Sequence, residues 1–261
     1  MNRVDFFDRT FGLDGRVAFV TGARQGIGEA LAVGLARAGA SVAVTSRDAS
    51  RLSGLVARLE ELGAKALALE LDVSDVTQVD AAIAATVETF GGLDIAINNA
   101  AATAHCPALD LTVEEWDTIL ETNLRGAFLV ARAAARAMSG RGGGRIVSIS
   151  SPFARIGLAD RVAYSASKAG LEQLTRSLAV EWARDNITVN TVAPTTVLTE
   201  SRRALFSDEE VLRKRVEQIP LGRLAREEDV VGAVLFLCAE AGSFVTGENI
   251  LVDGGYTINR S

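Results

Sequence analysis

Short apolar runs alternate with longer stretches of helical periodicity along the whole chain. Residues 16–22 (RVAFVTG) form an apolar, β-branched run that stops at glycine. Residues 27–39 (IGEALAVGLARAG) then place apolar side chains at helical spacing, with Gly39 as the stop. The pattern repeats: a strand over 41–46, a helix over 48–63 capped by Asp48 and ended by Gly63, a strand over 65–73, a helix over 74–91 with Ser74 as its cap, and a strand over 93–100. One long helix is predicted over 111–138, opened by the capping-box pattern Thr112-x-x-Glu115. A strand over 144–151, a helix over 162–185 and a strand over 186–194 follow. A charged region at 199–220 predicts one or two exposed helices, before a helix over 226–240 and a last strand over 247–255. Strands that are apolar almost throughout are buried on both faces, as in a parallel sheet covered by helices. The expected class is α/β, a single doubly wound parallel sheet of about seven strands with helices on both faces. No Pro-rich or Gly-rich linker divides residues 1–261, and RGGGR at 141–145 reads as a turn, so one domain is expected.

Composition narrows the chemistry. Hydrophobic residues are 48% of the 261, enough for a sizeable core without a disulfide or metal staple. The net charge of −6 argues against nucleic acid as a partner, because a phosphate-backbone binder carries a basic patch. Charged residues or glycine break every apolar stretch well short of a membrane span, and the N-terminus lacks the apolar core of a secretory signal, so a cytoplasmic protein is expected. Cys106 and Cys238 form no CxxC pair and read as buried thiols. His105 is the only histidine, which excludes a zinc site built on several histidines; no metal site is expected. A Ser-His-Asp triad would have to use His105, in a loop-like stretch with no G-x-S-x-G elsewhere. Proton chemistry therefore falls to Tyr, Lys, Ser, Asp or Glu.

The first strand runs directly into Thr21-Gly22-Ala23-Arg24-Gln25-Gly26-Ile27-Gly28, which opens a helix. Glycines there let the backbone turn tightly and approach a pyrophosphate, and the helix start offers unpaired N–H groups. The spacing is G-x-x-x-G-x-G, and its place after the first strand is that of a Rossmann-type dinucleotide site. Gly22, Arg24, Gln25, Gly26, Ile27 and Gly28 are the candidate cradle. Cofactor choice should lie at the end of the second strand, Val44-Thr45-Ser46-Arg47-Asp48. Ser46 and Arg47 at the tip, with Arg24 in the loop, favour the 2′-phosphate of NADP; NAD would need Asp48 on its ribose, but Asp48 reads better as a helix cap.

Tyr164 and Lys168 stand four residues apart at the start of a predicted helix and so share one face. An ammonium beside a phenol stabilises phenolate and is expected to lower the Tyr164 pKa. A phenol tuned in this way donates a proton to a carbonyl oxygen as hydride arrives, or takes one from an alcohol.

Taken together, TGARQGIG at 21–28, LDV at 71–73, NNA at 98–100, Asn123 in ETNLRG, Ser151 after IVSIS, YSASK at 164–168, NTVAP at 190–194 and TGENILVDGGY at 246–256 resemble the short-chain dehydrogenase/reductase family over about residues 13–256. The resemblance extends to its 3-oxoacyl-carrier-protein reductases, and faintly, through residues 6–16, to gluconate-type and sugar-alcohol members. It implies a hydride transfer between a nicotinamide cofactor and a carbonyl or secondary alcohol, with Tyr164 as acid/base. Lys168 would tune Tyr164 and hold the nicotinamide ribose, Ser151 would bond the substrate oxygen, and Asn123 would hold a relay water. Asp72 and Val73 would meet the adenine, and Asn99 and Ala100 would line the groove. Pro194, Val197 and Thr199 would sit at the nicotinamide end, beside a substrate-loop insertion around 195–220. A homotetramer is implied, with the helices at 111–138 and 162–185 as dimer surfaces. Two positions depart from the family: Ala101 and Thr195 stand where glycine is usual, which would strain the backbone if either needs a positive φ. The charged residues expected around the substrate, Arg155, Asp160, Arg161, Arg202 and Arg203, leave its identity open between solvated loop charge and an acidic or polyhydroxylated molecule. The competing reading is a non-catalytic dinucleotide-binding redox sensor, which would need only the glycine loop.

Overall fold

A computed structural model describes residues 3–259. Seven strands form one sheet: β1 (Val17–Val20), β2 (Ser41–Ser46), β3 (Ala66–Glu70), β4 (Ile95–Asn98), β5 (Gly144–Ile149), β6 (Ile187–Pro194) and β7 (Asn249–Val252). Their order is β3-β2-β1-β4-β5-β6-β7, and all neighbours run parallel. The chain thus winds outward one way from β1 and then reverses at β4. A crevice opens at that switch point, beyond the carboxyl ends of β1 and β4.

Each strand feeds two cores, because alternate side chains point to opposite faces. Ala18 and Val20 pack with α2 (Ile27–Arg37), α3 (Ser53–Glu61) and α10 (Glu227–Cys238). Val17 and Phe19 pack on the other face with α4 (Val76–Phe90), α6 (Ala127–Met138) and α7 (Val162–Trp182). Phe19, Leu31, Ile97 and Ile146 are fully buried, and each side chain of that size contributes about 1.5–3 kcal/mol. Gly39 and Gly63 follow α2 and α3 with positive φ, as the stop signals predict. Among the described residues no helix is long and apolar enough to cross a membrane.

The structure corrects several boundaries. A helix α1 (Arg3–Phe11) precedes the first strand, unforeseen in the apolar pattern. The cap of α4 is Asp75, whose carboxylate accepts from the Thr77 and Gln78 amides; Ser74 instead donates its hydroxyl to Asp72 at 2.6 Å. Asp48 caps a short 3-10 turn, Ala49–Leu52, that leads into α3. The predicted long helix is interrupted: α5 (Val113–Leu120), opened by the Thr112/Glu115 capping box, passes through a π-turn over Glu121–Gly126 before α6 begins. The charged region holds α8 (Glu200–Arg203) and α9 (Glu209–Glu217).

Candidate active site

The crevice has a volume of about 620 Å³ and is walled by Gly22, Arg24, Ser46, Arg47, Asp72 and Asn99, with Gln25, Val73 and Ala100 beside them. Its floor is made by backbone approach. Gly22 has φ +64°, and a Cβ there would lie 2.9 Å from the Ala100 Cα. A Cβ on Gly28 would strike the Gly22 carbonyl oxygen and the Asn99 side-chain amide. Thr21 and Asn99 lock this crossing. The Asn99 side chain donates to the Thr21 and Gly22 carbonyls, both at 3.0 Å, and the Thr21 hydroxyl accepts from the Asn99 and Ala100 amides. Asn99 therefore pins the glycine loop as well as lining the groove. Gly26, with φ +62°, starts α2 beneath the methyl of Thr199.

At the tip of β2 the polar groups are unequally committed. The Ser46 hydroxyl donates to the Asp48 carbonyl and accepts from the Asp48 amide, while the Asp48 carboxylate accepts from the Ser50 amide and hydroxyl. Arg47 is exposed and makes no hydrogen bond or ion pair among the described residues. Arg24, in the loop opposite, is bonded among the described residues only to the neighbouring Gln25 side chain, at 3.1 Å. The Asp72 carboxylate accepts from the Ser74 hydroxyl and amide, which hold it below the usual carboxylate range, with the Arg47 charge adding to the effect.

Deeper in, four residues converge. Ser151 leaves β5 in extended conformation (φ −159°), held by the proline after it, and its oxygen accepts from the Phe153 amide. Tyr164 lies on the first turn of α7, half-buried, near enough to Ser151 for that hydroxyl to act on its phenol. Lys168, one turn on, is 3% exposed. It donates to the Ile149 carbonyl at 2.7 Å, its Nζ 5.6 Å from the Tyr164 ring centre. Asn123 sits in the π-turn, whose wide winding turns its side chain inward. Its oxygen accepts from the Ala102 amide at 2.7 Å, and its amide donates to the Ala102 carbonyl and the Ser167 hydroxyl. Ser167 in turn donates to the Tyr164 carbonyl at 2.7 Å. Ser167 escaped the sequence reading because a serine in a helix of small residues gives no signal of its own. A cavity of about 10 Å³, bordered by Asn98, Asn123 and Lys168, has room for one water and shares Val73, Ala100 and Thr122 with the main crevice.

The electrostatics differ from expectation. Burial raises the Tyr164 phenol above its ordinary value, outweighing the lowering by Ser151, Arg202 and Arg161. Lys168 is not what lowers it: its ammonium points to the Ile149 carbonyl, and burial brings the amine itself down to about 8. Loss of water drives both groups toward their neutral forms.

The wall facing Tyr164 is the segment after β4. Asn123 holds it at Ala102, Arg161 donates to the Thr103 hydroxyl (2.5 Å) and the Ala104 carbonyl (3.1 Å), and the Asp160 carbonyl accepts from the Cys106 amide (3.0 Å). Asp160 adopts φ +61°, a left-handed conformation tolerated by Asp. Ala101 and Thr195 do not have positive φ, so neither replacement of glycine strains the backbone. Cys106 is half-buried rather than buried, while Cys238 is buried and its thiol is pushed up to about 12. His105 is largely exposed, its ring 3.8 Å from Asp160, and belongs to no triad. Pro194 closes β6, and Thr199 is buried over Gly26. The Val197 side chain is wholly inside the core, leaving only its backbone to meet a ligand.

A glycine-lined crevice at a topological switch point, with a serine, a tyrosine and a lysine converging beside it, defines a dinucleotide-dependent oxidoreductase. A sequence profile described as "Enoyl-(Acyl carrier protein) reductase" matches residues 22–257. The chain is 39% identical over 252 residues to gluconate 5-dehydrogenase of Gluconobacter oxydans, covering 95% of this chain and 97% of that one. It is 37% identical over 252 residues to an NAD-dependent glycerol dehydrogenase of Listeria innocua, covering 97% and 98%. A crystal structure of a gluconate 5-dehydrogenase from Burkholderia cenocepacia in complex with NADP and tartrate superposes with a TM-score of 0.91 at 35% identity, covering 97% of this chain and 99% of that one. The chain belongs to the short-chain dehydrogenase/reductase family and is an NAD(P)-dependent oxidoreductase acting on alcohol and carbonyl groups.

Proposed function

We propose that Tyr164 is the proton donor and acceptor of this reaction, with NADP(H) as the preferred cofactor. The observation that carries the reading is the approach of Tyr164 to Ser151 and to Lys168, the lysine bordering the small cavity that adjoins the glycine-floored crevice. The crevice fits a dinucleotide: Gly22 and Gly28, bare of a Cβ, let the loop pack against Ala100 and Asn99 so that backbone forms the crevice floor, and α2 begins from Gly26 beside it. Gly22, Arg24, Gln25, Gly26, Ile27 and Gly28 would hold the pyrophosphate. Arg47 would meet the adenosine ribose, with Ser46 lining the groove beside it, and Asp72 and Val73 would meet the adenine. Asn99, Ala100, Pro194, Val197, Thr199 and the Lys168 ammonium would frame the nicotinamide half. When bound, the nicotinamide supplies or accepts the hydride.

In the reducing direction Ser151 holds the substrate oxygen and Tyr164 gives it the phenolic proton. Burial keeps that phenol protonated at neutral pH, so the donor form is the resting form. Lys168 returns a proton to the phenolate and is replenished through the one-water cavity. Asn123 frames that cavity; its side-chain donors are already spent on Ala102 and Ser167, so it shapes the relay rather than gripping the water with its amide. In the oxidising direction the phenolate must form first, so alcohol oxidation rises with pH above neutral while carbonyl reduction stays flat through neutral pH. Segment 195–220 forms the substrate-loop insertion, and α5, α6 and α7 supply the dimer surfaces of a homotetramer.

The decisive experiment is Tyr164→Phe. Turnover on a carbonyl and alcohol panel, followed at 340 nm, should fall about 10³-fold or more, while NADPH binding stays near wild type. Full activity in this variant would show that the proton comes from elsewhere.

A further inference from the structure

Glu172 stands on α7 one turn beyond Lys168, is 4% exposed, and lines neither the crevice nor the one-water cavity. Burying a carboxylate is unfavourable unless donors replace its water, and an apolar side chain would fill the same space at lower cost. Its donors come from three segments distant in sequence. Oε1 accepts from the Ser150 hydroxyl at 3.2 Å and from the Asn249 side-chain amide at the start of β7, and Oε2 accepts from the Arg155 Nε at 3.3 Å. Arg155, expected among the loop charges around the substrate, thus spends a donor inward and forms an ion pair with Glu172. Ser150 and Arg155 bracket the reacting serine. Between them the Ala154 amide donates to the Ser151 carbonyl and the Arg155 amide to the Pro152 carbonyl, both at 3.0 Å, closing a single 3-10 turn. Inside that turn the Phe153 amide donates to the Ser151 Oγ at 3.3 Å. One lone pair of the hydroxyl is occupied in this way, which leaves its hydrogen to point elsewhere. Lys168, one turn back on α7, holds the carbonyl of Ile149 just before.

We infer that Glu172 is a positioning residue for the reaction: its carboxylate, held to Ser150 and Arg155, fixes the turn that directs the Ser151 hydroxyl at the substrate oxygen. This rests on the proposed role of Ser151 as the group that holds that oxygen. Ser151 does so only while its proton is directed outward, and the Phe153 amide sets that direction only while the turn stays closed. A three-residue turn has few bonds of its own, so the anchors at its two ends decide whether it stays closed. Ser150 is the anchor at its entry and Arg155 the anchor at its exit, and both end on one carboxylate. That carboxylate belongs to the helix that also carries Tyr164. The serine and the tyrosine are therefore referenced to one rigid element, which is what a reaction that depends on their separation requires.

The test measures NADPH-dependent reduction by wild type, Glu172→Gln, Arg155→Gln and Arg155→Lys, with the panel carbonyl that wild type reduces fastest. Glu172→Gln keeps the shape but loses the ion pair, and should lower kcat about tenfold with NADPH binding unchanged. Arg155→Gln, at the exposed end of the pair, should act in the same direction, and Arg155→Lys should recover part of the loss. A double-mutant cycle separates positioning from a merely structural role. In a Ser151→Ala background, adding Glu172→Gln should cost less than about twofold in kcat, because its effect passes through the serine. Equal losses in both backgrounds, or wild-type kcat in Glu172→Gln, would overturn the inference. So would NADPH binding that falls in step with kcat, because that result makes Glu172 a support of the whole site. If no panel carbonyl is reduced, amide hydrogen exchange of the NADP⁺ complex decides. Residues 151–156 should exchange about tenfold faster in Glu172→Gln while residues 21–28 stay as in wild type. Unchanged exchange at 151–156, or faster exchange throughout the chain, would overturn the inference. Wild-type kcat in Ser151→Ala alone would instead remove the assignment of Ser151 on which the inference stands, and the same cycle reads it separately.

Discussion

The two walls of the crevice are built on different principles. The cofactor side, from β1 to the end of β3, is shaped by backbone: glycines at positive φ, a helix starting at Gly26, and a strand order that reverses beside β1. The substrate side is shaped by side chains reaching across the sequence. Asn123 grips Ala102, 21 residues away, and Arg161 grips Thr103, 58 residues away. A backbone-built wall tolerates change at most of its side chains but at none of its glycines. A side-chain-built wall can be re-cut by single substitutions, which suits a pocket that distinguishes among related substrates.

The largest effect expected on this contrast is at Lys168, where the two walls meet. Lys168→Met should cost about 10³-fold in turnover. The same change should raise stability at neutral pH. The amine falls to about 8 in the folded protein from 10.5, so between those values the unfolded chain binds the extra proton. The burden of burying the ammonium is therefore present in full below pH 8 and is relieved as pH rises toward 10.5, with a ceiling of about 3 kcal/mol. Lys168→Met should melt above wild type at pH 7, with the gap closing by pH 10. A variant that melts lower at pH 7 would show that the ammonium supports the fold.

Next comes the backbone wall. Gly28→Ala forces a methyl onto the Gly22 carbonyl and the Asn99 amide, neither of which can move without opening the loop. A cost of about 1–3 kcal/mol is expected, with NADPH affinity reduced at least tenfold. Wild-type affinity would mean that the loop relaxes freely. On the side-chain wall, Asn123→Ala removes three hydrogen bonds and strands the Ala102 amide and carbonyl, a loss of about 2–3 kcal/mol. Its signature should be a raised substrate KM with NADPH binding intact. An equal loss in cofactor binding would erase the distinction between the walls.

This contrast also explains what was legible in the sequence. The glycine spacing after the first strand, the seven strands and the Thr112 capping box are local or periodic signals that the structure reproduces, and Tyr164 and Lys168 fall one turn apart on α7, whereas the helix expected from Asp48 opens as a 3-10 turn. The π-turn was hidden because poor helix formers such as Asn123 and Gly126 are tolerated singly within a longer helical pattern and do not specify how the winding changes. The pins at Ala102 and Thr103 were hidden because nothing in a sequence links an asparagine or an arginine to a carbonyl in a distant loop. The rise of the Tyr164 pKa was missed for a related reason: helical spacing reports that an ammonium is near, but not that both groups are stripped of water.

The smallest effect expected concerns the cofactor's 2′ position, and it tests whether side chains add selectivity to the backbone-built wall. At the tip of β2 the Ser46 hydroxyl and the Asp48 carboxylate are tied into the turn and the cap that follows, so neither is free to take a ribose hydroxyl without undoing local structure. Among the described residues Arg47 has no such tie, and Arg24 across the crevice holds only Gln25. A 2′-phosphate would meet one uncommitted guanidinium and one lightly held, whereas a bare 2′-hydroxyl would meet none that needs it. Arg47→Ala should therefore weaken NADPH about tenfold, the range of one charge-assisted hydrogen bond, and leave NADH close to wild type. Equal weakening of both nucleotides would place Arg47 on the shared adenosine. An unchanged Kd for NADPH would hand selectivity to Arg24 or remove the preference for NADP altogether, and titration of Arg24→Ala with both nucleotides would separate those outcomes.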